Sequence, residues 1–319
     1  MPYIAPEVIA EAKRIDLLTY LQNREPQDLV RLGGGVYCTK EHDSLKISNG
    51  KWMWWSHGVG GRSALDYLVK VKGLSFVQAV ETIMGSGVSI PTASYTVKEE
   101  SAPKVFNLPK KSPHTGVAFR YLYNRGIDRE IINSCIKNGL IYVSLPYYSV
   151  VFVGKDENNH KPRYAAFRST GEYRLMGEVS GSDKHYSFRL EGSNKDEVHL
   201  FECAIDALSY ATLIKLNGGD WTRENLVSLA GVYAPKEKAA DSKTPAAVIG
   251  FLKRNPEIKR IFLHLDNDEV GRKATEMLRI QLSDKYEVVD DPPPYGKDFN
   301  DFLCAEVNIK KQKERSHER

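Results

Sequence analysis

The stretch LDNDEVGRKA at Leu265–Ala274 decides how the rest of the chain is read. Ile261–Leu265 (IFLHL) is a short, mostly apolar run, which predicts a buried strand. It ends in Asp266-Asn267-Asp268, and Gly271 then leads into an amphipathic stretch through Leu282. Strand, acidic turn and helix in that order put two carboxylates at the C-terminal end of a strand, where open α/β sheets bind their ligands. Spaced (i, i+2), both can turn toward one hard cation. Mg²⁺ takes a few carboxylate oxygens and completes its shell with water and phosphate.

The same layout recurs upstream. Val198–Lys215 (VHLFECAIDALSYATLIK) reads as a strand, an acid at its tip (Glu202), and a helix carrying a second acid (Asp206). A separation of (i, i+4) makes Glu202 and Asp206 neighbours if the helix starts early. LVSLAG at Leu226–Gly231 and YEVVD at Tyr286–Asp290 predict two more strands. PPPYGKDFNDFL then supplies Lys297, Asp298, Asn300 and Asp301. Taken alone, these acids also fit a solvated, charged loop on an ordinary Rossmann-like sheet. As an ordered set (Glu202 with Asp206, Gly231, Asp266 and Asp268, closing KDFND), they resemble the toprim domain shared by bacterial primases, topoisomerases and some nucleases. The resemblance covers about the last third of the chain. It implies a parallel α/β sheet with Glu202, Asp266 and Asp268 as the catalytic acids and Mg²⁺ or Mn²⁺ as the cofactor.

A chain of 319 residues should hold two or three domains. Its net charge of +4 and pI near 8.6 are mildly basic, so any nucleic-acid site must be a local patch. Cys38, Cys135, Cys203 and Cys304 are scattered with no CxxC, which argues for reduced thiols and against a disulfide framework. No apolar run is long enough to span a bilayer, and the N-terminus lacks a signal-peptide core. The expectation is a cytoplasmic protein with no membrane partner.

Apolar positions at Val8, Ile9, Ala12, Ile15 and Leu18 predict one amphipathic helix from Pro6 to Leu21. SLKIS and KWMWWS around Asn49-Gly50 predict a hairpin. SALDYLVKVKG and SFVQAVETIM predict two short helices, the first stopped by Gly73. With the glycine turn at Gly58–Gly61, these features resemble the zinc-binding domain of bacterial primases. The family pattern is Cys-x-x-His followed by Cys-x-x-Cys. Here Cys38 and His42 stand one residue too far apart, His57 falls near the last ligand, and Trp54 takes the place of the third. A closed zinc site needs four ligands, so Cys38, His42 and His57 read as remnant positions. Packing around Trp52, Trp54 and Trp55 then replaces the metal, although an exposed tryptophan could stack a single-stranded base.

Gly85–Ser112 is rich in Ser, Pro, Lys and Glu and reads as a linker. Val117–Gly139 reads as helix, Arg-Gly turn, helix. Its Tyr121, Leu122, Arg125 and Gly126 resemble the stretch that opens the primase catalytic core. VVFVGKDENNHKPRYAAFR predicts a hairpin whose second arm carries Lys161, Arg163 and Arg168 beside Tyr164 and Phe167. Basic residues interleaved with aromatics suit a phosphate-facing strand, and equally a charge-protected sheet edge. Gly181-Ser182-Asp183-Lys184 is a further phosphate-turn candidate.

The domain reading is a degenerate zinc-ribbon-like domain at 1–90, a linker at 91–112, a helical and basic β subdomain at 113–195, a toprim domain at 196–305 and a charged tail at 306–319. The overall class is α/β. The order of parts resembles compact primase-like proteins of plasmids and conjugative elements. That resemblance implies primer synthesis on single-stranded DNA from nucleoside triphosphates, with a replicative helicase or relaxase as a further partner. Toprim nuclease and non-catalytic DNA-binding factor are the alternatives. Asp266 and Asp268 are the expected metal ligands. Glu202 is a further ligand or the general acid or base. Asp206, Asp298 and Asp301 extend the cluster or bond a neighbouring loop, and a cap on a short helix at DFL is an equal reading for Asp301. Lys161, Arg163, Arg168, Lys184 and Lys297 are the candidates for nucleotide or template. His264, inside a strand, reads as a packed core residue.

Overall fold

The computed structural model describes residues 6–84, 105–171, 176–232 and 242–317. The chain divides into two compact units, Met1–Ala102 and Pro103–Arg319. Residues 85–104, most of the expected linker, lie outside the described residues.

In the first unit, α1 (Pro6–Arg14) and α2 (Leu17–Arg24) take the place of the single helix that periodicity predicts. The break falls at Asp16, whose carboxylate accepts from the Thr19 N–H at 3.0 Å and restarts the helix as an N-cap. β1 (Leu29–Gly33), β2 (Val36–Thr39), β3 (Leu45–Ser48), β4 (Lys51–Trp54) and β5 (Val59–Gly61) form an antiparallel meander in that order. Asn49 and Gly50, both at positive φ, make the β3–β4 turn, as a two-residue hairpin demands. α3 (Ala64–Lys70), started by a Ser63/Asp66 capping box, and α4 (Phe76–Met84) close over the sheet. Trp52 joins the core beneath them and donates its indole N–H to the Ser63 carbonyl at 3.1 Å, whereas Trp55 is 55% exposed. Of the remnant zinc positions, Cys38 is buried on β2. His42 and His57 instead flank Trp54, with ring centroids 4.3 and 3.6 Å away. The ring that replaced the third ligand has become the middle of an aromatic stack.

The second unit opens with α5 (Gly116–Tyr123) and α6 (Arg129–Lys137), then an antiparallel sheet of β6 (Ile141–Val143), β7 (Val150–Lys155), β8 (Pro162–Arg168) and β9 (Met176–Glu178). A second sheet follows from β10 (Arg189–Leu190), β11 (Glu197–Phe201), β12 (Leu226–Ser228), β13 (Arg260–His264) and β14 (Glu287–Asp290). Its order is β10-β12-β11-β13-β14. β11, β12, β13 and β14 run parallel, and β10 pairs antiparallel with β12 at the edge. The intervening helices are α7 (Ala204–Leu216), α8 (Ala246–Arg254) and α9 (Glu269–Leu282), with α10 (Phe299–His317) last.

Alternation along the strands divides this sheet's two faces. Val198, Leu200, Val227, Ile261 and Leu263 pack with α8 and α9 residues such as Phe251 and Leu278. On the other face Phe201 and Leu226 share a core with α5, α6, α7 and α10. That shared core ties the helical pair and the β6–β7 region to the parallel sheet as one unit. His264 lies buried on this face between Phe201, Tyr210 and Phe299. The sequence reads the stretch after Leu303 as a charged tail, a frayed helix or disorder. α10 runs as a helix to His317, with Leu303 buried and Val307 packed against the same core. No helix among the described residues is long and apolar enough to cross a membrane.

Candidate active site

Parallel strands end together, so the acids at the tips of β11 and β13 meet at one edge. Phe201 pairs in register with His264, which places Glu202 one residue and Asp266 two residues beyond the same rung. The Glu202 Oε1 accepts from the Asp266 N–H at 3.3 Å. The Glu202 backbone carbonyl accepts from Gly231 N–H at 2.9 Å, so the turn after β12 fixes the first acid. Gly271 is required where α9 begins. A Cβ there would collide with the Asp266 carbonyl oxygen and stand 3.0 Å from the Glu202 Oε1.

The four acids are not equivalent. Burial first, then Asp266, Asp268 and Asp206, push the Glu202 carboxyl up to about 8. Burial and Asp206 carry Asp266 to about 7 against the opposing pull of Lys297. Asp206, in the first turn of α7, rises to about 6 through burial and Asp298, although the Cys203 thiol donates to it at 2.9 Å and the Asn300 N–H also donates to it. Asp268 goes the other way. Burial raises it, but the Gly271 N–H at 2.9 Å and the Lys297 ammonium outweigh that and hold it below the ordinary range. Asp268 is thus both N-cap of α9 and an ionised carboxylate facing the cluster.

The KDFND segment brings the cation. Its backbone docks on the acidic turn, with the Lys297 carbonyl accepting from the Asn267 N–H at 2.7 Å. Its ammonium lies 3.4 Å from Asp266 Oδ2 and 3.0 Å from Asp268 Oδ2. Lys297 keeps 56% of its side chain exposed, so the ammonium can swing away without breaking the fold. Asp298 accepts from the Asp301 N–H at 2.8 Å at the head of α10, while Asp301 accepts from the Lys297 N–H at 3.2 Å. The helix cap, one of the two readings of Asp301, is therefore made by Asp298.

The basic candidates separate. Arg168 stands at the acidic site. Its guanidinium pKa is raised by Cys203 first, against burial, and then by Tyr121, Asp206 and Asp298. Among the described residues no carboxylate comes within ion-pair distance of it. Arg163 begins the same strand, roughly 16 Å away at ~3.3 Å per residue and on the opposite face. It pairs with Asp183 at 3.2 Å and stacks over Tyr186. Lys161 is exposed at the β7–β8 tip. Lys184 pairs with Glu178 at 2.8 Å and donates to the Ala230 carbonyl at 3.1 Å. The Gly181–Lys184 turn is likewise committed, since the Ser182 hydroxyl bonds the Ala165 backbone and Asp183 takes Arg163 and His185. Arg163 and Lys184 brace the β8–β9 region, while Lys161 stays exposed. For Arg163 and Lys184 the charge pattern resembles a phosphate face because sequence does not show which acids fold back onto them.

Two positioning residues have no role assigned in the sequence reading. Arg272, in the first turns of α9, donates from Nη2 to the Leu265 carbonyl at 3.1 Å and from Nε to the Asp266 carbonyl at 3.3 Å. Its Nη1 pairs with Asp290 at 2.9 Å, so one side chain clamps both flanks of the acidic turn. Asn300 donates its amide to the Arg125 carbonyl at 2.9 Å and to Ser209 at 3.0 Å. That contact docks the Arg-Gly turn onto the head of α10, so its role is in assembly. The signal for Arg272 lay in the opening decapeptide, six residues after Asp266. Nothing in the sequence marks the partner of Asn300.

Comparison with known proteins agrees in extent with this geometry. Residues 199–303 match a family model described as toprim-like, and residues 120–194 match a model of a protein of unknown function, DUF3991. An uncharacterized Bacillus anthracis protein is 25% identical over 85% of this chain and 78% of its own length. Two solved structures are similar at 16% identity. The zinc-binding and RNA polymerase domains of Aquifex aeolicus primase match with TM-score 0.39 over 96% of this chain and 84% of that one. The primase fragment of the bacteriophage T7 primase-helicase matches with TM-score 0.42 over 69% and 83%. Strand order, acidic edge and family match converge: residues 199–303 are a toprim-like domain.

Proposed function

We propose that this chain is a primase-like nucleotidyltransferase, dependent on Mg²⁺ or Mn²⁺, that synthesises primers on single-stranded DNA in the replication or transfer of a mobile element. The observation that carries the reading is the meeting of Glu202 with Asp266 and Asp268 from two separate strand tips. The donor set fits the cation. It is all oxygen, as a hard ion prefers, and the Lys297 ammonium already lies against two of its members. Asp266 and Asp268 would hold the ion, with Glu202 beside them. When bound, such an ion acts as a Lewis acid that orients phosphates and neutralises charge as it builds on their oxygens.

The protein's own groups supply the rest. Glu202, pushed up to about 8, keeps its proton at neutral pH in the metal-free cluster. A divalent ion bound beside it would lower that value, into the range where the carboxyl can accept or return the proton of a reacting hydroxyl. Lys297 and Arg168 flank the acids and offer cationic donors to a triphosphate or to the template backbone. Asp206 and Asp298 raise the negative potential and are themselves held by backbone N–H groups.

The test is the full chain with circular single-stranded DNA, labelled nucleoside triphosphates and Mg²⁺ or Mn²⁺. Short new products are expected, and Asp266→Asn or Asp268→Asn should abolish them while retaining affinity for single-stranded DNA. Shortened template in place of product would replace this reading with toprim nuclease, where water takes the place of the hydroxyl. A salt-sensitive band shift with neither activity, or wild-type synthesis by Asp266→Asn, would overturn it. Capture of a replicative helicase or relaxase tests the partner class separately.

A further inference from the structure

At the other end of β11 from the acidic edge, a second cluster has an unassigned lone pair at its centre. Its logic begins with His264. The Nδ1 of this ring faces the Asp291 backbone carbonyl at 2.8 Å and the Asp291 carboxylate at 3.4 Å. Both are acceptors, so the ring hydrogen is on Nδ1. Enclosed by Phe201, Tyr210 and Phe299, His264 is the neutral tautomer, and its Nε2 can only accept. The Nδ1 of His199 lies 2.8 Å from that Nε2 and therefore donates. His199 has then used its N–H, and its Nε2 is left with a lone pair.

That Nε2 and the Glu224 Oε2 facing it at 3.4 Å are buried and make no well-aligned hydrogen bond, although His199 first, against burial, and then the Asn194 amide hold the Glu224 carboxyl below its ordinary range. His199 itself is 6% exposed. A lone pair opposite a carboxylate oxygen is repulsive unless positive charge sits between them, either a proton on Nε2 or a metal ion. The 3.4 Å separation is longer than the roughly 2.7–2.9 Å of a well-made charge-assisted N–H···O bond and fits a shared ion. Two ligands on a tetrahedral ion with bonds of about 2.0–2.2 Å stand roughly 3.3–3.6 Å apart. A third donor, Glu197, completes a set whose ligand atoms all lie within 4.8 Å of one another. Its carboxylate is oriented by Arg260 Nη1 at 2.7 Å and Asn194 Nδ2 at 3.0 Å, and each oxygen keeps a further lone pair. A ligating histidine whose other nitrogen donates to a buried acceptor is the usual arrangement around a bound metal.

We propose that Glu197, His199 and Glu224 form a transition-metal site, suited to Zn²⁺, distinct from the acidic edge of the toprim sheet. One imidazole and two carboxylates select Zn²⁺ or a similar ion over Mg²⁺. Glu197 precedes Glu202 by five residues and His199 precedes it by three, so the ligands stand roughly 10–16 Å from the acidic edge along the strand. The ion would clip the start of β11 to the turn that leads into β12. Asn225 already stitches that joint by donating to the Asn194 carbonyl at 2.6 Å and the Glu197 carbonyl at 3.0 Å.

The test uses the full chain carrying Asp266→Asn and Asp268→Asn, which removes the acidic edge as a competitor. The protein is stripped with chelator and titrated with Zn²⁺ and with Co²⁺. One equivalent of Zn²⁺ should survive gel filtration and raise Tm, and Co²⁺ should give tetrahedral visible absorption that Zn²⁺ displaces. Adding Glu224→Gln, at a partly exposed position, or His199→Gln should remove the equivalent, the absorption and the Tm rise together. Failure to retain any equivalent would overturn the proposal in favour of a protonated His199 paired with Glu224. So would an equivalent that persists in both variants.

Discussion

Replacing Glu202 by Gln should make the metal-free protein more stable, although it removes a residue of the proposed catalytic set. Gln keeps the acceptor that the Asp266 N–H uses and cannot ionise. In the wild type the Glu202 carboxyl stands at about 8 against an ordinary 4.5. A carboxyl raised in the folded state binds protons there more tightly than in the unfolded chain. Stability is therefore fully present below about pH 4.5, falls as pH rises through the window, and levels off above about 8. At 1.36 kcal/mol per unit, the full gap is worth about 5 kcal/mol, and the part incurred by pH 7 is about 3 kcal/mol. Asp266 titrates in the same cluster, so one site cannot be credited with the whole slope. A difference of roughly 2–3 kcal/mol in favour of Glu202→Gln at pH 8 is the expectation. The assay is urea unfolding of both proteins from pH 5 to pH 9 in EDTA, repeated in Mg²⁺. The curves should converge toward pH 5 and separate above it, and Mg²⁺ should recover the wild type while leaving the variant little changed. Parallel pH profiles, or a variant less stable than wild type at pH 8 in EDTA, would refute the claim that these carboxylates crowd one another.

Four further outcomes follow from the same geometry. Gly271→Ala, which drives a methyl into the Asp266 carbonyl, should lose about 1–3 kcal/mol by urea unfolding and reduce synthesis by more than that loss of folded protein explains. Arg168→Gln should lower kcat/KM for nucleoside triphosphate by about 10- to 100-fold, the worth of a hydrogen bond to a charged group. Arg163→Gln, on a side chain already paired with Asp183, should change it by less than about twofold. Lys297→Met should tighten Mg²⁺ binding in calorimetric titration, because it removes the ammonium lying against Asp266 and Asp268, and should lower turnover at saturating Mg²⁺. Unchanged Mg²⁺ affinity would mean that the ammonium does not compete for the cation.

What could be read in advance depended on whether a rule acts along the chain or across it. The acidic edge was legible because its placement is local. An apolar run ends, an acid follows, a helix begins, and parallel pairing sets the tips side by side, as the Phe201–His264 register shows. The Asn49-Gly50 hairpin was legible for the same reason. The first helix was misjudged because periodicity runs through Asp16, and only the cap it makes to Thr19 divides α1 from α2. The reach of α10 stayed open between frayed helix and disorder because the residues after Leu303 are polar, while Leu303 and Val307 find a core supplied by α5 and α7. β10, two residues long and antiparallel at the edge of a parallel sheet, carries no pattern of its own.

The cations behaved differently from the acids, for a physical reason. A carboxylate on a stem of one or two methylenes is found within a few ångströms of where its backbone puts it. Lysine and arginine reach much farther, and the acid that captures them is chosen by the fold. Arg163 and Arg168 occupy one strand, yet an odd separation of five sends them to opposite faces, one to Asp183 and the other toward Asp206 and Asp298. Sequence could group them but could not tell them apart. The same reasoning explains why the Glu197–His199–Glu224 cluster drew no notice in the chain. His199 is one polar residue in an otherwise apolar strand, and a buried histidine is usually packing. Its chemistry emerges only when the hydrogen on His264 is assigned, because that assignment consumes the N–H of His199 and leaves a lone pair facing Glu224. Proton accounting across two strands is therefore the step that turns an ordinary core histidine into a candidate ligand.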